Sequence, residues 1–167
     1  MGASDRPAVE SGQPPALVIR LLNPVMRALL RSRLHRLLSK QFMLLMVTGR
    51  KTGRTYVIPV GRHESEEAIT VYAAGTWRHN LRGGVPVRLV LDGRERAGYA
   101  ELEEDPDRVA QAYKTRLDRL GLRNARQLGL KLNVDRSPTT DELKPAVAGR
   151  AIATIRLTGD STPAAGP

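Results

Sequence analysis

Six apolar residues in succession, Phe42-Met43-Leu44-Leu45-Met46-Val47, stop abruptly at Thr48-Gly49-Arg50-Lys51-Thr52-Gly53-Arg54. The run reads as a buried strand, and the glycines that follow turn the chain so that Tyr56 to Arg62 returns as a second strand. Pro59 lies inside that second strand. It cannot donate to a ladder, so the strand is expected at a sheet edge, at a bulge or near its own end. Residues 68–74 form a third strand, with β-branched Ile69, Thr70 and Val71 beside Tyr72. Strands at 85–91 and 94–103 are joined by Asp92-Gly93, a pair that favours a two-residue hairpin turn. Parallel strands would need long crossovers at these places, so the sheet is expected to be mainly antiparallel.

Helices flank these strands. Asn23-Pro24 has the chemistry of a helix start, and Val25, Met26, Leu29, Leu30, Leu34, Leu37 and Leu38 recur at helical spacing to about Ser39. Residues 75–82 form a short helix or loop. Asp105-Pro106 caps a helix over about 107–120 that buries Val109, Ala110, Tyr113 and Leu117 and stops at Gly121. Residues 122–135 fit no single pattern. Ser137-Pro138 opens a short helix to about Val147, and 151–158 is the last strand. The fold expected is mainly β (α+β), a six-stranded antiparallel barrel with peripheral helices. Residues 16–158 would form one domain, after a disordered segment at 1–15 and before a frayed tail at 159–167.

Charge is distributed unevenly along this chain. Between Ser11 and His63 lie ten Lys and Arg and no Asp or Glu; the other 17 basic residues are matched by the chain's 17 acidic ones. A field this one-sided calls for an anionic partner or is tolerated at some cost to compactness. Other classes of function are disfavoured. Cysteine is absent, which removes disulfides and thiol nucleophiles. His35, His63 and His79 are spaced unlike a zinc site. One Trp, one Phe and four Tyr are few for a base-stacking nucleic-acid module. No apolar stretch suits a signal peptide or a membrane span, in keeping with a cytoplasmic protein.

The 48–54 turn is the first candidate site. Its glycines allow unusual backbone and leave amides pointing outward, while Arg50, Lys51, Thr52 and Arg54 supply donors for a phosphate or carboxylate. The spacing is not that of a Walker motif, and the same residues would also serve a solvated hairpin loop. The second candidate is Trp77-Arg78-His79-Asn80-Leu81-Arg82, where Trp suits packing and Asn suits a turn as readily as a ligand. The basic helix at 24–40 is open to three readings: a solvated core helix, a lipid-facing helix or a nucleic-acid contact. No GxSxG, HExxH or paired histidines occur. If the protein is an enzyme, its reactive group belongs to a bound cofactor.

Leu44 to Arg54, then Ile58-Pro59-Val60, then Trp77-Arg78-His79-Asn80-Leu81-Arg82, in this order, resemble the deazaflavin (F420)-dependent nitroreductase family of split β-barrel flavin and deazaflavin oxidoreductases. The resemblance covers roughly residues 23–103. It implies a split β-barrel that binds coenzyme F420, an 8-hydroxy-5-deazaflavin with a phosphate and a polyglutamate tail. Arg50, Lys51, Thr52 and Gly53 would receive the phosphate and tail, with Arg54 close by. Pro59, Val60, Ala73 and Ala74 would border the ring, and Trp77 and Asn80 would shape the same pocket. Family members often carry an Arg where Tyr56 stands here. The implied reaction is hydride transfer to an electron-poor acceptor (a quinone, a nitro compound or an activated double bond), with Tyr113, Tyr99 or water as proton source. An FMN-binding relative and a non-enzymatic lipid- or nucleic-acid-binding module are the alternatives. The partners implied are a small-molecule acceptor and, through the 24–40 helix, an anionic membrane on the inner face of the plasma membrane. No specific nucleic acid is expected, and the protein would be a monomer or homodimer.

Overall fold

The computed structural model describes residues 6–12, 24–25, 27–28 and 40–159. Nine strands follow in chain order: β1 (Val9–Ser11), β2 (Phe42–Thr48), β3 (Thr55–Gly61), β4 (His63–Glu64), β5 (Ile69–Ala73), β6 (Val85–Leu91), β7 (Arg94–Glu103), β8 (Leu130–Leu132) and β9 (Ala151–Leu157). Two α-helices, α1 (Pro106–Leu120) and α2 (Thr140–Ala146), and 3-10 segments at Thr76–Leu81 and Leu122–Leu128 complete the described elements. Contacts divide the chain into two compact units. The larger draws on residues 15–102 and 152–167, the smaller on 1–14 and 103–151.

In the larger unit a seven-stranded sheet runs in the order β3-β2-β6-β7-β9-β5-β4. The ladders of β2 with β3, β2 with β6, β6 with β7 and β4 with β5 are antiparallel. One residue, Arg62, separates β3 at one edge from β4 at the other. Consecutive Cα atoms are about 3.8 Å apart, so the two edges must meet, and the sheet curls into a split barrel. Pro59 lies on the edge strand, opposite Leu44, where its missing N–H breaks no second ladder. The expected six strands become seven because the crossing ends β3 at Gly61, and His63–Glu64 then pairs separately with Thr70 and Ile69.

The barrel core follows the period of two. Met43, Leu45 and Val47 of β2, Val71 of β5, and Val87, Leu89 and Leu91 of β6 point into one cluster with Val60, Leu81 and Ile155. Fully burying each such side chain contributes about 1.5–3 kcal/mol. A charged group closes the seam. Arg62 is buried; its N–H donates to the Gln41 carbonyl at 2.9 Å, and its guanidinium meets Asp92 at 3.0 Å and Glu64 at 3.1 Å. Asp92 and Gly93 take the two positive φ angles, 49° and 75°, that their hairpin turn demands.

In the smaller unit Asp105 caps α1 by accepting from the N–H groups of Asp107 and Arg108, and Val109, Ala110, Tyr113 and Leu117 form its buried face. The N-cap of α2 is Thr139 rather than Ser137, in a reciprocal capping box with Glu142. The first residues depart from expectation. Val9–Ser11 lies in the stretch expected to be disordered, yet it pairs with Leu130–Leu132 and buries Val9. Arg150 holds that pairing from beneath. Its buried guanidinium donates to the carbonyls of Leu128 and Gly129, both at 2.8 Å, and to Ser11 Oγ at 2.9 Å.

Of the helix expected over 24–39, Pro24, Val25, Arg27 and Ala28 are helical; the rest, and the membrane role assigned to it, lie outside the described residues. Among the described residues no helix is long and apolar enough to cross a membrane.

Arg62→Ala removes the seam's buried guanidinium with its ion pairs and should lower unfolding free energy by about 2–3 kcal/mol in urea titration, because the half-exposed carboxylates rehydrate and soften the loss. Glu142 takes both nitrogens of the Arg136 guanidinium and the Thr139 N–H, which holds its pKa near 2, below the ordinary 4.5. A depressed folded-state pKa stabilises above the unfolded value and fades as pH falls from about 4.5 toward 2. Glu142→Gln should therefore flatten the fall of melting temperature across that window.

Candidate functional site

The β2–β3 turn is closed on itself. Gly49 N–H donates to the Arg54 carbonyl at 2.7 Å, and Gly53 N–H donates to the Gly49 carbonyl at 2.8 Å. Gly53 sits at φ +66°, which an L side chain resists. Gly49 is needed for a different reason, close approach. A Cβ there would lie 2.6 Å from the Tyr56 ring and 2.8 Å from Thr52 Oγ1. Tyr56 thus lies against the glycine, its hydroxyl 3.3 Å from that of Thr52.

The facing wall is the Thr76–Leu81 segment. Leu81 is fully buried in the barrel core and Trp77 packs against the same cluster. With those two side chains anchored in the core, His79 and Asn80 line the space outside it, and Arg82 follows. The carboxamide of Asn80 joins the two walls: Oδ1 accepts from Arg50 N–H at 3.1 Å, and Nδ2 donates to the Trp77 carbonyl at 3.1 Å. Arg50 Nη1 adds a second tie to the Arg82 carbonyl at 3.3 Å.

Between the walls opens a pocket of about 730 Å³. Gly49, Arg50, Lys51, Thr52 and Tyr56 line one side; Thr76, His79, Asn80 and Arg82 line the other. Three cations face this space and, among the described residues, no Asp or Glu lines it. Such a concave surface concentrates positive potential and suits a ligand with more than one negative charge. No group of His, Asp and Glu among the described residues is arranged to hold a metal.

The structure thus brings together Arg50, Lys51, Thr52 and Asn80 from the sequence candidates. Gly53 and Arg54 belong to the same turn but do not line the pocket. Pro59, Ala74 and Trp77 are half-buried nearby in sequence, whereas Val60 and Ala73 are buried at 7% and 0% exposure. Tyr113 lies on the buried helix face that its spacing implied. At 1% exposure it is a core residue of the smaller unit, bonded to Arg150, and burial pushes its pKa up. A phenol closed off in this way is not placed to hand a proton to a ligand; Tyr99, the other candidate, is 41% exposed. Tyr56 and Thr76 were not singled out from sequence, and His79 and Arg82 entered only as members of the second motif. The signal of the first two is adjacency to the motifs, which only the barrel converts into one wall facing another.

Residues 20–127 match the family described as F420H(2)-dependent quinone reductase, a range that contains every residue lining the pocket. No curated protein sequence matches the chain. Among solved structures it is similar to an F420 reductase at 16% identity, over 71% of this chain and 87% of that one, with a TM-score of 0.44. A FAD and heme binding protein from Mycobacterium smegmatis is similar at 17% identity, 81% and 75% coverage and a TM-score of 0.40. The flavocytochrome of Azotobacter vinelandii gives 14% identity, 94% and 75% coverage and a TM-score of 0.42. At TM-scores this low the three likenesses carry no further argument.

Gly49→Ala should cost about 1–3 kcal/mol through overpacking against Tyr56. Gly49→Ala combined with Tyr56→Ala should recover part of that loss in thermal unfolding, because the ring is the obstacle.

Proposed function

We propose, for a chain that belongs to the F420H(2)-dependent quinone reductase family, that the pocket between the β2–β3 turn and residues 76–82 holds the phosphate and acidic tail of F420. The protein is an oxidoreductase of that family, and F420 is the coenzyme on which the family depends. The observation that carries the pocket assignment is the lining itself: three cations with hydroxyl and amide donors, and no carboxylate among the described residues. Charge-assisted bonds of about 1.5–3 kcal/mol each suit a ligand that carries a phosphate and several carboxylates.

A reduced deazaflavin held there would supply hydride chemistry. This chain's residues bind and orient. Lys51 offers a point charge and Thr52 a hydroxyl, while Arg82 meets the ligand from the second wall. The ring contact suggested by resemblance falls on Pro59 and Ala74, because the side chains of Val60 and Ala73 are closed off in the barrel. Trp77, half-buried against the core, anchors the segment that carries the second wall. The acceptor we favour is a quinone, which takes the hydride and one proton to become a hydroquinone. Solvent or the exposed Tyr99 provides that proton. A nitro compound or an activated double bond would be a slower acceptor of the same electron pair.

FMN is the competing ligand. It has one phosphate and no glutamate tail, so it would leave part of the cationic lining unanswered. Purified protein should bind oxidised F420 tightly and FMN at least tenfold more weakly, followed by ligand fluorescence. Lys51→Ala should weaken F420 by about 1–3 kcal/mol. Equal or tighter binding of FMN would overturn the assignment.

A further inference from the structure

Asn80 stands at the position the family resemblance gives to a ligand contact, but its side chain is already engaged within the protein. Its Oδ1 accepts the Arg50 N–H and its Nδ2 donates to the Trp77 carbonyl, tying together chain segments 30 residues apart. We infer that Asn80 is a positioning residue, a neutral latch that holds the cationic β2–β3 turn against the wall carrying Arg82. The assignment of the ligand as F420 rests on the preceding section; the latch itself is a property of the protein without ligand.

Three observations support this assignment. The first is anchoring. Trp77 and Leu81 fix the 76–81 segment in the barrel core, so that wall is rigid. The turn, exposed from Arg50 to Arg54, is the side that needs holding. The second is repulsion. Closing the pocket brings Arg50 and Lys51 toward Arg82 with no carboxylate in the lining among the described residues, so like charges oppose closure. The third is the chemistry of the amide. An Asp at position 80 could accept the same Arg50 N–H, but it would place a negative charge in the pocket and compete with an anionic ligand. It would also lose the donor to Trp77. A carboxamide holds the walls together and leaves the positive field intact.

Once the walls are held, the ligand meets a preformed site and does not have to order the turn itself. The side-chain bond of Arg50 to the Arg82 carbonyl lies in the same seam, so part of Arg50's donor capacity goes to closing the pocket. Lys51, exposed on the same turn, then addresses the ligand.

Amide hydrogen exchange of the ligand-free protein, read by NMR, tests the latch. In Asn80→Ala the Arg50 amide should exchange about tenfold faster, while the Gly49 and Gly53 amides, bonded within the turn, stay protected. F420 should bind that variant about tenfold more weakly. In Asn80→Asp the Arg50 amide should keep its protection while F420 affinity falls through the added charge. Unchanged Arg50 exchange in Asn80→Ala would overturn the latch; accompanied by lost F420 affinity it would make Asn80 a direct ligand contact. If Asn80→Ala lost protection everywhere, Asn80→Asp would decide, with a fast Arg50 amide overturning the latch. Failure of the unaltered protein to bind F420 would defeat the functional assignment and leave the exchange result standing.

Discussion

Arg62 carries the chain from β3, at one edge of the sheet, to β4, at the other, and its guanidinium is buried between Asp92 and Glu64. A flat sheet cannot accommodate that step, so the crossing forces the curl that makes a barrel. It also fixes one end of the β2–β3 hairpin. Arg62 N–H is bonded to the Gln41 carbonyl, and Phe42 faces Gly61 beside it. The register then delivers Thr48 opposite Thr55 at the far end, where the chain must turn. The pocket-lining turn is therefore the end of a hairpin whose other end is the barrel seam. Asn80 supplies the second point of support.

Several cations of the smaller unit are matched locally: Lys144 with Asp107 and Asp141, Arg136 with Glu142, Lys131 with Glu10, Arg108 with Glu103. Exposed pairs of this kind contribute little to stability, but they leave no net field. Arg50, Lys51 and Arg54 form no ion pair with any described residue. The one-sided charge of residues 11–63 thus persists, among the described residues, at the turn beside an open pocket. A bound polyanion would relieve it.

Features set by neighbours in sequence were legible before the structure. The Asp92-Gly93 turn, the Asp105 cap with Pro106 behind it, the Gly121 stop and the restriction of the Pro59 strand to an edge, a bulge or a strand end all follow from local backbone chemistry. The TGRKTG turn and the WRHNL segment were legible as separate candidates. Their meeting was not, because the bond between Arg50 and Asn80 spans 30 residues and depends on the barrel. The same limit explains Val9–Ser11, a strand of three residues whose stability comes from Leu130–Leu132 and Arg150, over a hundred residues away. Tyr113 is the contrasting case: helical spacing alone placed it on the buried face, where the structure has it.

The most direct test is amide chemical-shift mapping of the isotope-labelled protein as F420 is added. Shifts should concentrate at Arg50–Gly53 and Thr76–Arg82, with the smaller unit's β1–β8 ladder unmoved. Saturable F420 binding with shifts confined to residues 103–151, and a silent β2–β3 turn, would contradict the pocket assignment.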